Sequence, residues 1–254
     1  MADDVIATIR KTYPQDWPVY NKAQIEEKAT IMDILADMLQ EIEEPEQAMG
    51  RPRLTRRDLL FASTLKVYTQ FSLRRFMSDL VFAKQEGFVE HAPCFAAVGH
   101  FMEREDITPI LKRLIGISAT PLRDMESVFA IDSSGFRTSR LSDYCEKKHN
   151  TKREHKWIKS HTICGVRTNI ITDAVVAGQD SADCPQLIPL VQTTVDIGFR
   201  PEEVSADKAY SSRDNFEFID SVGAVPYIPF RSNATGKARG SRMWKKAFHY
   251  FQLN

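Results

Sequence analysis

Ser127-Val-Phe-Ala-Ile-Asp-Ser-Ser-Gly-Phe136 and Glu203-Val-Ser-Ala-Asp-Lys-Ala-Tyr210 decide how this chain folds. Each is a short apolar run closed by an aspartate, Asp132 or Asp207, and each reads as a buried strand. A carboxylate there is costly to bury unless something neutralises it. Taken alone, either Asp could simply cap a turn or a following helix. Working outward, residues 155–165 and 170–178 read as two more strands with a turn at 167–169. Leu187, Leu190, Val191, Val195 and Ile197 fall at helical spacing within 183–198, and Ser212 to Val222 is a helix closed by Gly223. Residues 225–230 form a fifth strand whose two prolines suit a sheet edge. The order is β-β-β-α-β-α-β, an α/β layer with an antiparallel start.

The upstream part is helical. Ile25, Ala29, Met32, Leu35, Leu39 and Ile42 recur at three and four residues, and Pro45 ends that helix. Gly50-Arg51-Pro52-Arg53 reads as a linker, and Thr55 with Asp58 makes a capping-box-like start. Helices then follow to about Tyr68, from Ser72 to Gly87, from Pro93 to Arg104, and from Thr108-Pro109 to Ile115. Two helices joined by a short turn suit a helix-turn-helix and suit any packed bundle equally. Three domains are therefore expected. These are an acidic helical leader and linker (1–53), a helical and candidate DNA-binding domain (54–124), and the α/β domain (125–254).

Composition narrows the function. Of 254 residues, 43% are hydrophobic and 27% charged, ordinary for a globular protein. Apolar runs such as Leu59–Ala62 fall far short of the roughly 18 residues that span a bilayer. The start Met-Ala-Asp-Asp lacks the apolar core of a secretory signal, so membrane and secreted readings are excluded. Scattered Cys94, Cys145, Cys164 and Cys184 then read as reduced cytoplasmic thiols. Net charge is zero only by cancellation: residues 1–50 carry −7 and residues 51–254 carry +7. Arg137 to His161 holds eight Lys/Arg against three acids, and Ser221 to Asn254 holds no acid at all. That asymmetry suits a polyanion, most simply nucleic acid, although a solvated basic face has the same charge.

The strand order resembles a ribonuclease-H-like sheet, in which the first and fourth strands are neighbours. Residues 127–136, 156–161, 203–210 and 222–230 resemble the blocks of bacterial insertion-sequence transposases of the DDE class. The similarity extends roughly from Gly50 to Asn254, and its best motif is Asp207-Lys208-Ala209-Tyr210. The resemblance implies that Asp132 and Asp207 are catalytic metal ligands for two Mg²⁺ or Mn²⁺ ions. It implies cleavage of DNA at transposon ends and joining of the freed 3′-OH to target DNA, by a bacterial, nucleoid-associated protein that can form homo-oligomers. Two such ions stabilise the attacking and leaving oxygens of an in-line displacement.

The family's third acid sits in a Tyr-x2-Arg-x3-Glu-x6-Lys block after the fifth strand, where this sequence offers a basic segment and then Asn254. The chain is therefore expected to be truncated and inactive. Tyr210-x2-Arg213-x3-Glu217 matches the first half of that spacing but precedes the fifth strand, so Glu217 reads as a helix-surface residue. Lys156, Lys159 and His161 surround Trp157 and are candidate contacts to DNA phosphates or the metal site. Alternation also allows a packed Trp157 with snorkelling neighbours. Arg231, Lys245 and Lys246 are candidate phosphate contacts on a stretch that Gly236 and Gly240 mark as a loop. Cys145, His149, His155, His161 and Cys164 lack the tight pairing of a zinc site. The competing functions are a non-catalytic DNA-binding remnant and an unrelated metal-dependent nuclease.

Overall fold

The computed structural model describes residues 16–47, 49–50, 52–137, 157–237 and 239–253. The chain divides into two units, Met1–Glu105 and Asp106–Asn254.

The first unit is helical: α1 (Trp17–Gln40), α2 (Arg56–Thr69), α3 (Leu73–Gln85) and α4 (Phe95–Met102). Asp16 caps α1, and Thr55 caps α2 by accepting from the Asp58 amide at 3.0 Å. The Asp58 carboxylate does not close the expected capping box. It is buried and accepts instead from the amides of Glu90 and His91, both at 3.0 Å. α1 lies in the same unit as α2, α3 and α4. Met32, Leu35 and Leu39 of α1 are buried, and Glu44 accepts from the amides of Arg56 and Arg57 that open α2.

The second unit begins earlier than 125, because the helix at 108–119 belongs with the sheet. This α5 (Thr108–Ala119) reaches the buried Asp173 through Lys112 at 3.2 Å. The sheet is five-stranded and mixed: β1 (Val128–Arg137), β2 (Trp157–Gly165), β3 (Ile171–Gly178), β4 (Glu203–Ala206) and β5 (Val225–Tyr227). They lie in the order β3-β2-β1-β4-β5, an arrangement consistent with a ribonuclease-H-like fold. β1–β2 and β2–β3 pair antiparallel, whereas β1–β4 and β4–β5 pair parallel. The strand with Pro226 is at an edge, where a missing N–H costs no ladder bond.

Three helices cover one face: α6 (Leu187–Asp196), α7 (Arg213–Ser221) and α8 (Arg242–Leu253). Phe129, Ile131, Ile163 and Val204 from the strands meet Leu190, Phe216, Ile219 and Trp244 there. Thr172 bonds Thr194 of α6 while its neighbour Asp173 meets α5, so α5 lies on the opposite face. The expected loop after β5 is a loop only in part. From Arg242 it is a helix whose Met243, Trp244 and Ala247 enter the core.

Candidate active site

The geometry begins with a register. β1 and β4 pair in parallel, with Ile131 beside Ala206, so the next positions along the two strands are Asp132 and Asp207. Adjacent strands run about 4.8 Å apart, which sets the scale of that juxtaposition. Phe129 and Ile131 are buried and alternation turns Asp132 outward, as it turns Asp207 outward after the inward Val204 and Ala206. Both aspartates are exposed. Asp132 accepts from the Ser133 amide at 2.7 Å. Asp207 accepts from the Ala209 amide at 2.9 Å, capping one 3₁₀ turn over Lys208–Tyr210. Each carboxylate thus spends one oxygen on its own backbone and has lone pairs to spare. Among the described residues, no group of three or more His, Cys, Asp or Glu is assembled for a metal.

Beneath the pair lies a buried polar layer. His161 stands opposite Ser133 in the β1–β2 register and is fully buried, with Nδ1 2.9 Å from the Tyr210 hydroxyl. Asp183 lies 3.7 Å from the same nitrogen and forms an ion pair with Lys159. Burial pushes the His161 pKa down, with Lys159 adding to the effect and Asp183 opposing it, so the ring is held neutral. Burial likewise pushes the Tyr210 hydroxyl far above its ordinary value, reinforced by Asp183, Asp132 and Asp207; a hydrogen bond from Ser133 pulls the other way.

Residues 123–250, just over half of the chain, match the family described as the transposase DDE domain. The chain belongs to the transposase DDE domain family. Among solved structures, piggyBac transposase in a synaptic complex with hairpin DNA is similar at 14% identity and a TM-score of 0.33, over 80% of this chain. The DDE chain spans 48% of that protein, about half its length. No curated protein matches it in sequence.

Other predicted residues of this DDE domain fall in different places. His161 cannot meet a DNA phosphate, because it is buried against Tyr210. Lys159 is tied to Asp183, and Lys156 lies outside the described residues, as do Cys145, His149 and His155 of the zinc reading. Trp157 is not packed inward: 39% exposed, it lies over Gly135 with the Arg137 guanidinium 5.1 Å from its ring. Arg231 sits next to the acids, donating to the carbonyls of Lys208 and Ala209 at 3.3 and 3.0 Å. Lys245 and Lys246 are exposed on α8. Glu217 accepts from the Ser241 hydroxyl at 2.5 Å and the Met243 amide at 2.8 Å, anchoring the start of α8. Those bonds hold its carboxyl below the usual range, and they account for Glu217 without a metal.

Sequence reasoning missed Ser133, Asp183 and the inward role of Tyr210. The available signal was parity: Ser133 and His161 share a face with Ile131 and Ile163, so they had to point into the core.

Proposed function

We propose that this chain carries the catalytic sheet of a bacterial insertion-sequence DNA transposase, cutting phosphodiester bonds at transposon ends and joining them to target DNA. The observation that carries this reading is the parallel register that sets Asp132 beside Asp207, within a DDE-family match that includes both. Two exposed carboxylates with spare lone pairs are hard oxygen donors, the chemistry that Mg²⁺ or Mn²⁺ requires. Such ions, when bound, would stabilise charge on the attacking and leaving oxygens of a phosphodiester displacement. Asp132 and Asp207 would hold them.

The chain's other residues bind and orient. Arg231 is fixed on the turn that follows Asp207, so it can meet a phosphate next to the acids with little further ordering. Lys245 and Lys246 supply sequence-independent attraction to the DNA backbone. The open surface around the acids suits a substrate as large as a duplex, whereas a polar cavity of about 560 Å³ lies at the other end of the sheet around Arg123, Arg167 and Arg200.

Two carboxylates alone hold a cation weakly, and among the described residues no third acid is grouped with Asp132 and Asp207. Residues 1–254 by themselves are therefore expected neither to cut nor to join transposon-end DNA. The test is strand transfer in Mn²⁺ with an Asp132→Ala control. Cleavage that disappears in the control would overturn the inactivity and point to a further acid within the chain. Cleavage that survives the control would overturn the assignment of the site. DNA binding without cation binding would favour the non-catalytic remnant.

A further inference from the structure

Asp207 lies one residue beyond the last backbone pair of β4, Ala206 with Ile131. Nothing in the sheet ladder itself fixes it. A residue at that place frays unless side chains hold the turn that follows. Here the turn is held at every carbonyl. Arg231 donates to Lys208 and Ala209 from one side, while the Asn215 side chain donates to the Tyr210 carbonyl at 2.7 Å from α7. The Tyr210 amide closes the turn back onto the Asp207 carbonyl at 3.2 Å.

The Tyr210 side chain supplies the connection to the other acid. Its ring is fully buried, and its hydroxyl meets His161 of β2, the residue that stands opposite Ser133 of β1 in the strand register. Ser133 is the direct neighbour of Asp132, and its amide is the donor that Asp132 accepts from. The hydroxyl therefore joins the Asp207 turn to the Asp132 strand at a point covered from water. One hydrogen bond, 2.9 Å long, joins the Tyr210 hydroxyl to His161 Nδ1, and the other ring nitrogen is Nε2. That nitrogen is buried without a partner among the described residues, so the ring is oriented through its Nδ1 side alone.

We infer that Tyr210, with Ser133 and His161, is the positioning element that sets the separation of Asp132 and Asp207. It acts through the acids and touches neither DNA nor metal. The inference rests on reading those acids as a cation site. It assigns the aromatic residue of Asp207-Lys208-Ala209-Tyr210 a task distinct from core packing, since a phenyl ring would fill the same volume without the tie.

The test uses the whole 254-residue chain and Mn²⁺ alone, with free Mn²⁺ followed by electron paramagnetic resonance. Tyr210→Phe keeps the ring and removes the hydroxyl, and is expected to weaken Mn²⁺ binding about tenfold, the usual cost of removing an outer-shell partner. Ser133→Ala, which leaves the ring untouched, is expected to weaken it in the same direction. The double variant should be no weaker than Tyr210→Phe, because both remove one connection. Leu80→Ala, a core change in the helical first unit, should lower that unit's unfolding midpoint without moving the Mn²⁺ affinity. Wild-type affinity in Tyr210→Phe, while Asp132→Ala abolishes binding, would overturn the positioning role and leave the cation site standing. Wild-type affinity in Asp132→Ala, or no Mn²⁺ binding by the unmodified chain, would overturn the site and the inference together. Should Tyr210→Phe fail to fold, Ser133→Ala decides alone, and wild-type affinity there overturns the proposal.

Discussion

Glu126, two residues before β1, and Asp132, midway along it, stand six residues apart, and the protein treats their carboxylates in opposite ways. Glu126 is 3% exposed and accepts from the amides of Val128, Arg167 and Thr168 and from the Thr168 hydroxyl, all within 3.1 Å. Asp132 is exposed and, among the described residues, accepts from its neighbour's amide alone. Burial pushes the Glu126 pKa up, yet its hydrogen bonds together pull it below the usual carboxylate value. One charge is fully served by the chain, stitching the start of β1 to the β2–β3 turn. The other is left for something outside it. The difference separates a structural acid from an available one better than charge or position does.

The largest expected effect breaks this comparison at Glu126. Glu126→Ala takes the acceptor away from three backbone amides and the Thr168 hydroxyl, which should cost the second unit about 3 kcal/mol. Asp132→Ala should change stability by less than about 0.5 kcal/mol while removing cation binding. Urea unfolding of the two variants side by side checks both halves. Equal losses would mean that the two carboxylates do similar structural work.

Next in size is Gly165→Ala. A Cβ at Gly165 would lie 2.5 Å from the Glu126 Cγ and Oε2 atoms, and the hydrogen bonds on that carboxylate keep it from moving aside. Overpacking of this kind costs about 1–3 kcal/mol. In the Glu126→Ala background the collision is gone, so the penalty should largely vanish, and a double-mutant cycle reads that coupling directly. Additive losses would show that the clash is relieved by backbone movement instead.

How much of this was legible in the sequence depends on the range of the forces involved. Asp132 and Asp207 could be found because each closes an apolar run, and the edge position of β5 because it carries proline. Thr55 could be found because a cap is a local bond. His161 shares the inward parity of Ile163, which was legible, but its partner was not, because Tyr210 lies 49 residues away. Glu217 hid its role for the same reason, its partners lying at 241 and 243. The α8 helix is a different failure. Met243, Trp244 and Ala247 are a short helical stripe, and the surrounding Lys and Arg drew the reading toward a charged loop. Its amphipathic pattern was there to be counted.

Acid pH should separate the two regions further. His161 is held neutral below its ordinary pKa, so protons bind the unfolded chain first, and stability should begin to fall as pH drops below about 6.5. Glu126 is depressed below the usual carboxylate value, so its contribution is complete above about pH 4.3 and is lost as pH falls through the folded value. Stability measured against pH should therefore show two declines. His161→Gln should flatten the first and Glu126→Gln the second. A single decline untouched by either change would assign the acid sensitivity elsewhere.

The smallest effect concerns residues distant from both carboxylates in sequence. Lys245 and Lys246 project from α8 into solvent, while Met243, Trp244 and Ala247 on the same helix are buried. Removing the two ammonium groups leaves that buried side intact, so Lys245→Ala with Lys246→Ala should leave the unfolding midpoint nearly unchanged. If both meet phosphates, each contributes roughly 0.9 to the slope of log K against log salt. The double variant should then bind DNA with a slope shallower by about 2, and with equal weakening on every sequence tested. Fluorescence anisotropy at several salt concentrations, on two unrelated duplexes, gives both quantities. A loss confined to one duplex would mean that α8 reads base edges, and the basic surface would then carry specificity rather than general attraction. An unchanged slope would remove α8 from the DNA interface and leave Arg231, beside Asp207, as the phosphate contact to examine.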